Sequence, residues 1–233
     1  MELLRGTRGV VRVGHRGAAA LAPENSLAAI EAAAACGVDA VELDVLQGLV
    51  VAHGPGVVLA GAPLLDEALA LVAALGLAVQ VDVKVRGLET GVVEALRRHA
   101  LVERSFVSSF SLPILLAFAA AEPRLPRAFT YPEDSLGLTG SRVLGPATRP
   151  ALAALRALLP RRLPRWLRAA GASAATLNWA VVTPGAIEVC HRRGVAVYAW
   201  TVNEPALAIT LVESGIDGII SDDPRIIPAG IDS

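Results

Sequence analysis

Short runs of β-branched and aliphatic residues alternate along this chain with longer stretches dominated by alanine and leucine. The short runs, bounded by glycine, proline and polar residues, predict strands. They fall at 11–17, 40–46, 78–85, 105–110, 127–131, 175–179, 195–202 and 217–221, with a second extended piece at 49–53 after a break at Gly48. The longer stretches predict helices at 26–35, 66–75, 88–99, 112–121, 184–193 and 205–214. Pro23-Glu24-Asn25-Ser26 supplies turn and capping residues for the first of these, and Cys36-Gly37 closes it.

Strands and helices in regular alternation are the signature of parallel βαβ units. Eight strand candidates favour a closed (β/α)8 barrel over an open sheet. A barrel of this kind carries its chemistry at the carboxyl ends of its strands. Two stretches break the pattern. Residues 132–149, after the fifth strand, are rich in Gly, Pro, Ser and Thr and fit no single regular element. The stretch 151–170 reads as helix interrupted by Pro160 and Pro164, with Arg156, Arg161, Arg162, Arg165 and Arg168 set among leucines and Trp166.

With 233 residues the chain can build one sizeable core, so a single domain over 1–233 is expected. Its 21 basic and 22 acidic residues nearly cancel, which argues against a nucleic-acid footprint and for a small-molecule partner. Cys36 and Cys190 sit in helix-like surroundings and suggest buried thiols rather than a disulfide scaffold. The start of the chain lacks a basic region followed by an apolar core. The longest apolar run, 68–79, is too short to span a bilayer. A cytoplasmic protein is the expectation.

Side chains alternate along a strand, so Glu42 and Asp44 share one face while Val41, Leu43 and Val45 take the other. Asp82 and Lys84 repeat the arrangement on the third strand. Carboxylates directed into a barrel mouth are costly without partners, and a hard divalent cation is the simplest compensation for Glu42, Asp44 and Asp82. The plainer alternative is an Asp82–Lys84 ion pair. His15 and His53 end extended segments and can approach the same mouth, where two imidazoles can supply an acid and a base. His99 and His191 lie in or at the ends of helix candidates and are taken as structural. The fork of Arg16 suits phosphoryl oxygens, or pairs with Glu24; Glu24 and Asn25 either cap the helix or contact the site.

The ordered set His15-Arg16-Gly17, Pro23-Glu24-Asn25-Ser26, Glu42-Leu43-Asp44, His53, Asp82-Val83-Lys84, Ser108-Ser109-Phe110, Ala199-Trp200-Thr201-Val202-Asn203 and Gly215 to Asp222 resembles the glycerophosphodiester phosphodiesterase family over nearly the whole chain. The resemblance implies a TIM barrel that hydrolyses a glycerophosphodiester to glycerol 3-phosphate and an alcohol. It implies metal ligands at Glu42, Asp44 and Asp82 for Mg2+, Ca2+ or Mn2+, an acid and base pair at His15 and His53, phosphate contacts at Arg16 and Lys84, and an aromatic wall at Trp200. Three departures stand out. Asp82 replaces the family's usual glutamate, Gly54 follows His53 where aspartate is usual, and the connection from His53 to the helix at Asp66 is short, leaving a more open mouth. Such openness gives the arginine-rich stretch 151–170 interest as a membrane-surface contact, against which its two prolines count. A cyclising phosphodiesterase, a lysophospholipid-directed enzyme and a binding barrel without turnover are the competing readings.

Overall fold

A computed structural model describes residues 3, 9–53, 61–133 and 149–228. The strands are β1 (Val11–Gly14), β2 (Ala40–Leu46), β3 (Val50–Val51), β4 (Ala78–Val83), β5 (Ser105–Ser109), β6 (Arg127–Tyr131), β7 (Ala174–Asn178), β8 (Ala196–Trp200) and β9 (Gly218–Ser221). The helices are α1 (Leu27–Ala35), α2 (Leu65–Ala74), α3 (Glu89–Arg98), α4 (Leu112–Ala121), α5 (Arg149–Ala170), α6 (Pro184–His191) and α7 (Pro205–Glu213). All strands but β3 pair in parallel in the order β1-β9-β8-β7-β6-β5-β4-β2, and β1 returns to pair with β2, so the sheet closes into the expected barrel. The two-residue β3 folds back antiparallel on the end of β2 and carries the chain toward His53.

The alternation legible in the sequence divides the side chains as expected. Val41, Leu43, Val45, Val79, Val81 and Val83 point outward into a core shared with α1, α2, α3 and α4. A second core lies under α5, α6 and α7. Inside the barrel the lower layer is built mainly of small residues, Ala40, Ala128, Ala174 and Ala196, around the large rings of Phe106 and Tyr198. Tyr198 has room because β9 presents Gly218 there: a Cβ at that position would sit 2.2 Å from the tyrosine ring. The Tyr198 hydroxyl donates to the carbonyl of Leu3 at 2.9 Å, so an early residue of the chain seals the floor. Higher up, polar side chains replace the alanines. Thr130 and Thr176 share a 2.7 Å hydrogen bond, and the Gln80 amide donates to Ser108.

Two sequence expectations need correction. The stretch around Pro160 and Pro164 is one helix, α5, of 22 residues. Each proline removes one backbone donor, but the two lie four positions apart and so fall on one flank. There Pro160 packs beside Gly185 of α6 and Arg156 bonds the Ala180 carbonyl at 2.6 Å. Continuous packing of Leu159, Leu163 and Leu167 in the core outweighs the lost backbone bonds. The extended piece at 49–53 is also shorter than expected, being a strand only at Val50–Val51. Gly54 lies outside the described residues, as does nearly all of the irregular segment 132–149. Among the described residues no helix is long and apolar enough to cross a membrane.

Candidate active site

The carboxyl ends of the strands surround a cavity of about 1580 Å³. His15, Arg16, Glu42, Asp44, His53, Asp82, Lys84 and Trp200, all singled out from the sequence, line it together. Glu42, Asp44 and Asp82 are buried, and one ligand atom from each lies within 4.8 Å of the others. Parallel pairing places Asp44 directly beside Asp82, and Glu42 follows two residues earlier on the same face.

The loop after β1 makes the cluster possible. Gly17 takes a φ of +84°, and a Cβ there would meet Ala29 at 2.6 Å, so α1 approaches the loop closely only over glycine. Arg16 itself has a φ of 54°, a left-handed conformation uncommon for a side-chain-bearing residue, and this turns its amide toward Glu42 Oε2 at 2.9 Å. Asn25 has a similar backbone at φ 57°. Its amide clasps Asp44 from both sides: Oδ1 accepts from the Asp44 amide at 3.1 Å and Nδ2 donates to Asp44 Oδ2 at 3.2 Å. The helix cap is Ser26, whose Oγ accepts from Ala29, so Asn25 serves the site rather than the helix.

Asp44 is the most heavily compensated carboxylate. Lys84 Nζ stands 2.8 Å from Oδ1, while Arg16 Nε and His53 Nδ1 each stand 3.0 Å from Oδ2. Burial works against its charge, but Lys84, His53 and Arg16 outweigh it and hold the carboxyl well below the usual range. Lys84 also pairs with Asp82, so the plain ion pair anticipated from the sequence exists within the cluster. Burial would lower the lysine's proton affinity, yet Asp82, Asp44 and Glu42 drive it above its ordinary value. Glu42 lacks such cover. Burial and the neighbouring Asp44 charge push it up to about 7 against the pull of His15. Ser108 Oγ donates to Asp82 Oδ1 at 2.6 Å, which continues the polar chain down to Gln80.

The two histidines differ in setting. His15 is 15 % exposed, with Nδ1 at 2.6 Å from Asp222 Oδ1 and Nε2 facing Glu42 at 3.9 Å. His53 is 45 % exposed. Its Nε2 lies 3.2 Å from Arg16 Nη2. A guanidinium only donates, so Nε2 presents its lone pair and Nδ1 carries the hydrogen given to Asp44. Arg16 further bonds Glu24 at 2.5 Å, so it anchors the loop while facing the cavity. Trp200 stands edge-on to Phe110 with centroids 6.0 Å apart and donates its indole N–H to the Thr176 carbonyl at 3.1 Å.

Asp222 and Asn203 are the functional positions that residue-level reasoning passed over. Asn203 Oδ1 accepts from the Asp222 amide at 3.0 Å and its Nδ2 donates to Asp222 Oδ2 at 2.5 Å, which fixes the carboxylate toward His15. Both lie inside segments that carried the family resemblance, which was the available signal.

The model described as the Glycerophosphoryl diester phosphodiesterase family matches residues 15–47 and 77–226. His53 falls in the gap between these segments, so its position beside Asp44 comes from the structure alone. A curated glycerophosphodiester phosphodiesterase from Caldanaerobacter subterraneus subsp. tengcongensis is 26 % identical over 255 residues, covering 92 % of this chain and 95 % of that relative. A solved glycerophosphodiester phosphodiesterase from Parabacteroides distasonis is 19 % identical with a TM-score of 0.73, covering 94 % of this chain and 95 % of its own. An Oleispira antarctica phosphodiesterase, solved in complex with the product sn-glycerol-3-phosphate, is 22 % identical with a TM-score of 0.69 and coverages of 95 % and 96 %. The two structures establish the shared barrel, and because the family model spans most of the sequence, this chain belongs to the glycerophosphoryl diester phosphodiesterase family.

Proposed function

We propose that this protein hydrolyses glycerophosphodiesters to sn-glycerol 3-phosphate and an alcohol, with a divalent cation held by Glu42, Asp44 and Asp82. The observation that carries this reading is the convergence of that carboxylate triad with His15 and His53 in one cavity. The donor set suits a hard cation: burial, and then the charge of the neighbouring Asp44, push Glu42 up to about 7, a penalty that Mg2+, Ca2+ or Mn2+ would remove. When bound, the ion would neutralise phosphoryl oxygens and ease deprotonation of the attacking oxygen.

The chain's own groups supply the rest. Asp222 accepts a hydrogen bond from His15 Nδ1 and so turns Nε2 toward the cavity, where a raised proton affinity fits His15 to protonate the departing alkoxide. His53 presents an Nε2 lone pair that accepts from Arg16 Nη2, and once Arg16 turns to the phosphate this nitrogen takes the proton of the attacking water. Arg16 and Lys84 pair with the phosphate, and the Trp200–Phe110 pair walls the space beside it. The product carried by the Oleispira relative supports this substrate class.

Release of glycerol 3-phosphate from glycerophosphocholine and glycerophosphoethanolamine, by chelator-treated protein with each metal restored in turn, tests the proposal. Metal-dependent release that is lost in His15→Ala is expected. A cyclic phosphate in place of the monoester would assign intramolecular transfer instead, and no product with any metal would overturn the reading.

A further inference from the structure

The outer face of α4 and α5 sets an all-apolar helix beside one whose charged residues are all basic. α4 (LPILLAFAAA) has no polar side at all: Ile114, Leu115 and Phe118 are buried, while Pro113, Leu116 and Ala120 face outward. A helix that is apolar all round is expected where another apolar phase covers it. Leu116 is 48 % exposed. Beside it runs α5, which holds six of the chain's 21 basic residues and none of its 22 acidic ones. The side chains of Arg161, Arg162, Arg165 and Arg168 are exposed and, among the described residues, none of the four has an ion-pair partner. Since the chain is near neutral overall, this concentration leaves the remainder of the protein acidic.

Periodicity brings the two features together. Arg156 and Pro160 mark the flank of α5 that faces α6. At 100° per residue, Leu158 and Arg162 then lie on the opposite flank, toward α4, with Arg161, Arg165 and Arg168 on the outermost line. Leu158 is 38 % exposed, so α5 adds an exposed leucine of its own beside the guanidinium groups, next to the apolar α4. The continuity of α5 through both prolines removes the sequence argument against such a surface.

From this arrangement we infer that the α4–α5 face docks on an anionic lipid bilayer, with Leu116 and Leu158 at the acyl boundary and the arginines among the headgroups. A second copy of the chain is a poorer occupant, because a two-fold contact would set arginine against arginine. A polynucleotide would use the arginines and leave Leu116 without a partner. Docking would also lay the barrel on its side. The rim segments that open onto α4 and α5, which include Phe110, Ser111 and Glu133 of the cavity wall, would then be the part of the mouth nearest the lipid.

Co-sedimentation with vesicles is the test, comparing phosphatidylcholine alone with phosphatidylcholine containing about a third phosphatidylglycerol. The expected result is binding to the anionic vesicles only, weakening as salt is raised. It should fall about tenfold or more in the double variant Arg161→Glu, Arg165→Glu and fall separately in Leu116→Ser. Unchanged thermal unfolding of the variants shows that the barrel is intact. No binding, equal binding to neutral vesicles, or binding to duplex DNA with vesicles ignored would each overturn the inference. So would a dimer in solution that the same substitutions dissolve.

Discussion

His15 Nδ1 and Asp222 Oδ1 stand 2.6 Å apart although 207 positions separate them in the chain. Burial alone would lower the proton affinity of His15, but the Asp222 hydrogen bond and the Glu42 charge outweigh it, and the imidazole is raised above its ordinary 6.5. Asp222 moves the other way, below its ordinary 3.8, because His15 and Asn203 overcome its own partial burial. The signs are complementary. The His15 contribution to stability is complete below pH 6.5 and fades as pH rises through the folded value. The Asp222 contribution is complete above 3.8 and fades as pH falls.

Replacing Asp222 by asparagine therefore returns His15 toward neutrality at lower pH. We expect turnover to drop by roughly a hundredfold and the alkaline limb of the pH–rate profile to move to lower pH. A profile that keeps its limbs while losing amplitude would show that the carboxylate orients His15 without tuning it.

Burial and the Asp44 charge push Glu42 up to about 7, against 4.5 when unperturbed. The fold thus retains a proton that the unfolded chain releases, and metal-free stability should decline as pH rises through that interval. Because a cation needs the carboxylate form, its affinity should climb about tenfold per pH unit below 7 and level off above. Calorimetric titration across pH measures the second effect and urea unfolding the first. Glu42→Gln should flatten both curves and weaken metal binding.

Ser108 joins Gln80 to Asp82 inside the barrel, and among the described residues Gln80 Oε1 already lacks a hydrogen-bond partner. Ser108→Ala would strip Asp82 Oδ1 of its hydroxyl donor and leave the Gln80 amide unpaired. A stability loss of about 1–3 kcal/mol by urea unfolding is expected, together with metal affinity weakened by about tenfold.

Gly218→Ala would drive a methyl group into the Tyr198 ring, a contact of 2.2 Å that neither backbone can open without disturbing the strand pairing. Destabilisation on the order of 3 kcal/mol is expected, with partial recovery when Tyr198→Leu is added. Additive losses in that cycle would place the strain elsewhere.

The strand alternation made the carboxylate triad legible, because residues two apart on a parallel strand must share a face whatever surrounds them. Lys84 followed from the same rule, even though β4 ends one residue before it. Asp222 was not legible in that way. It stands beside Asp223 in what looks like an ordinary turn, and only the meeting of the last strand with the first shows which of the two serves His15. Asn25 was obscured by Ser26, since either could cap α1 and only the path of the loop decides. The prolines of α5 misled for a related reason: local propensity weighs a lost backbone bond but not the leucine ridge that holds the helix in place.

The seam where β1 lies between β2 and β9 has a consequence for when catalysis can begin. A growing chain that has produced β1, β2 and β4 already holds every carboxylate of the triad, yet the partner of His15 arrives only with the final strand. Contacts of such long sequence separation are the slowest to form. Turnover would accordingly start at a single moment, when the ring shuts, and product release during refolding would time that closure more directly than any spectroscopic signal from the helices.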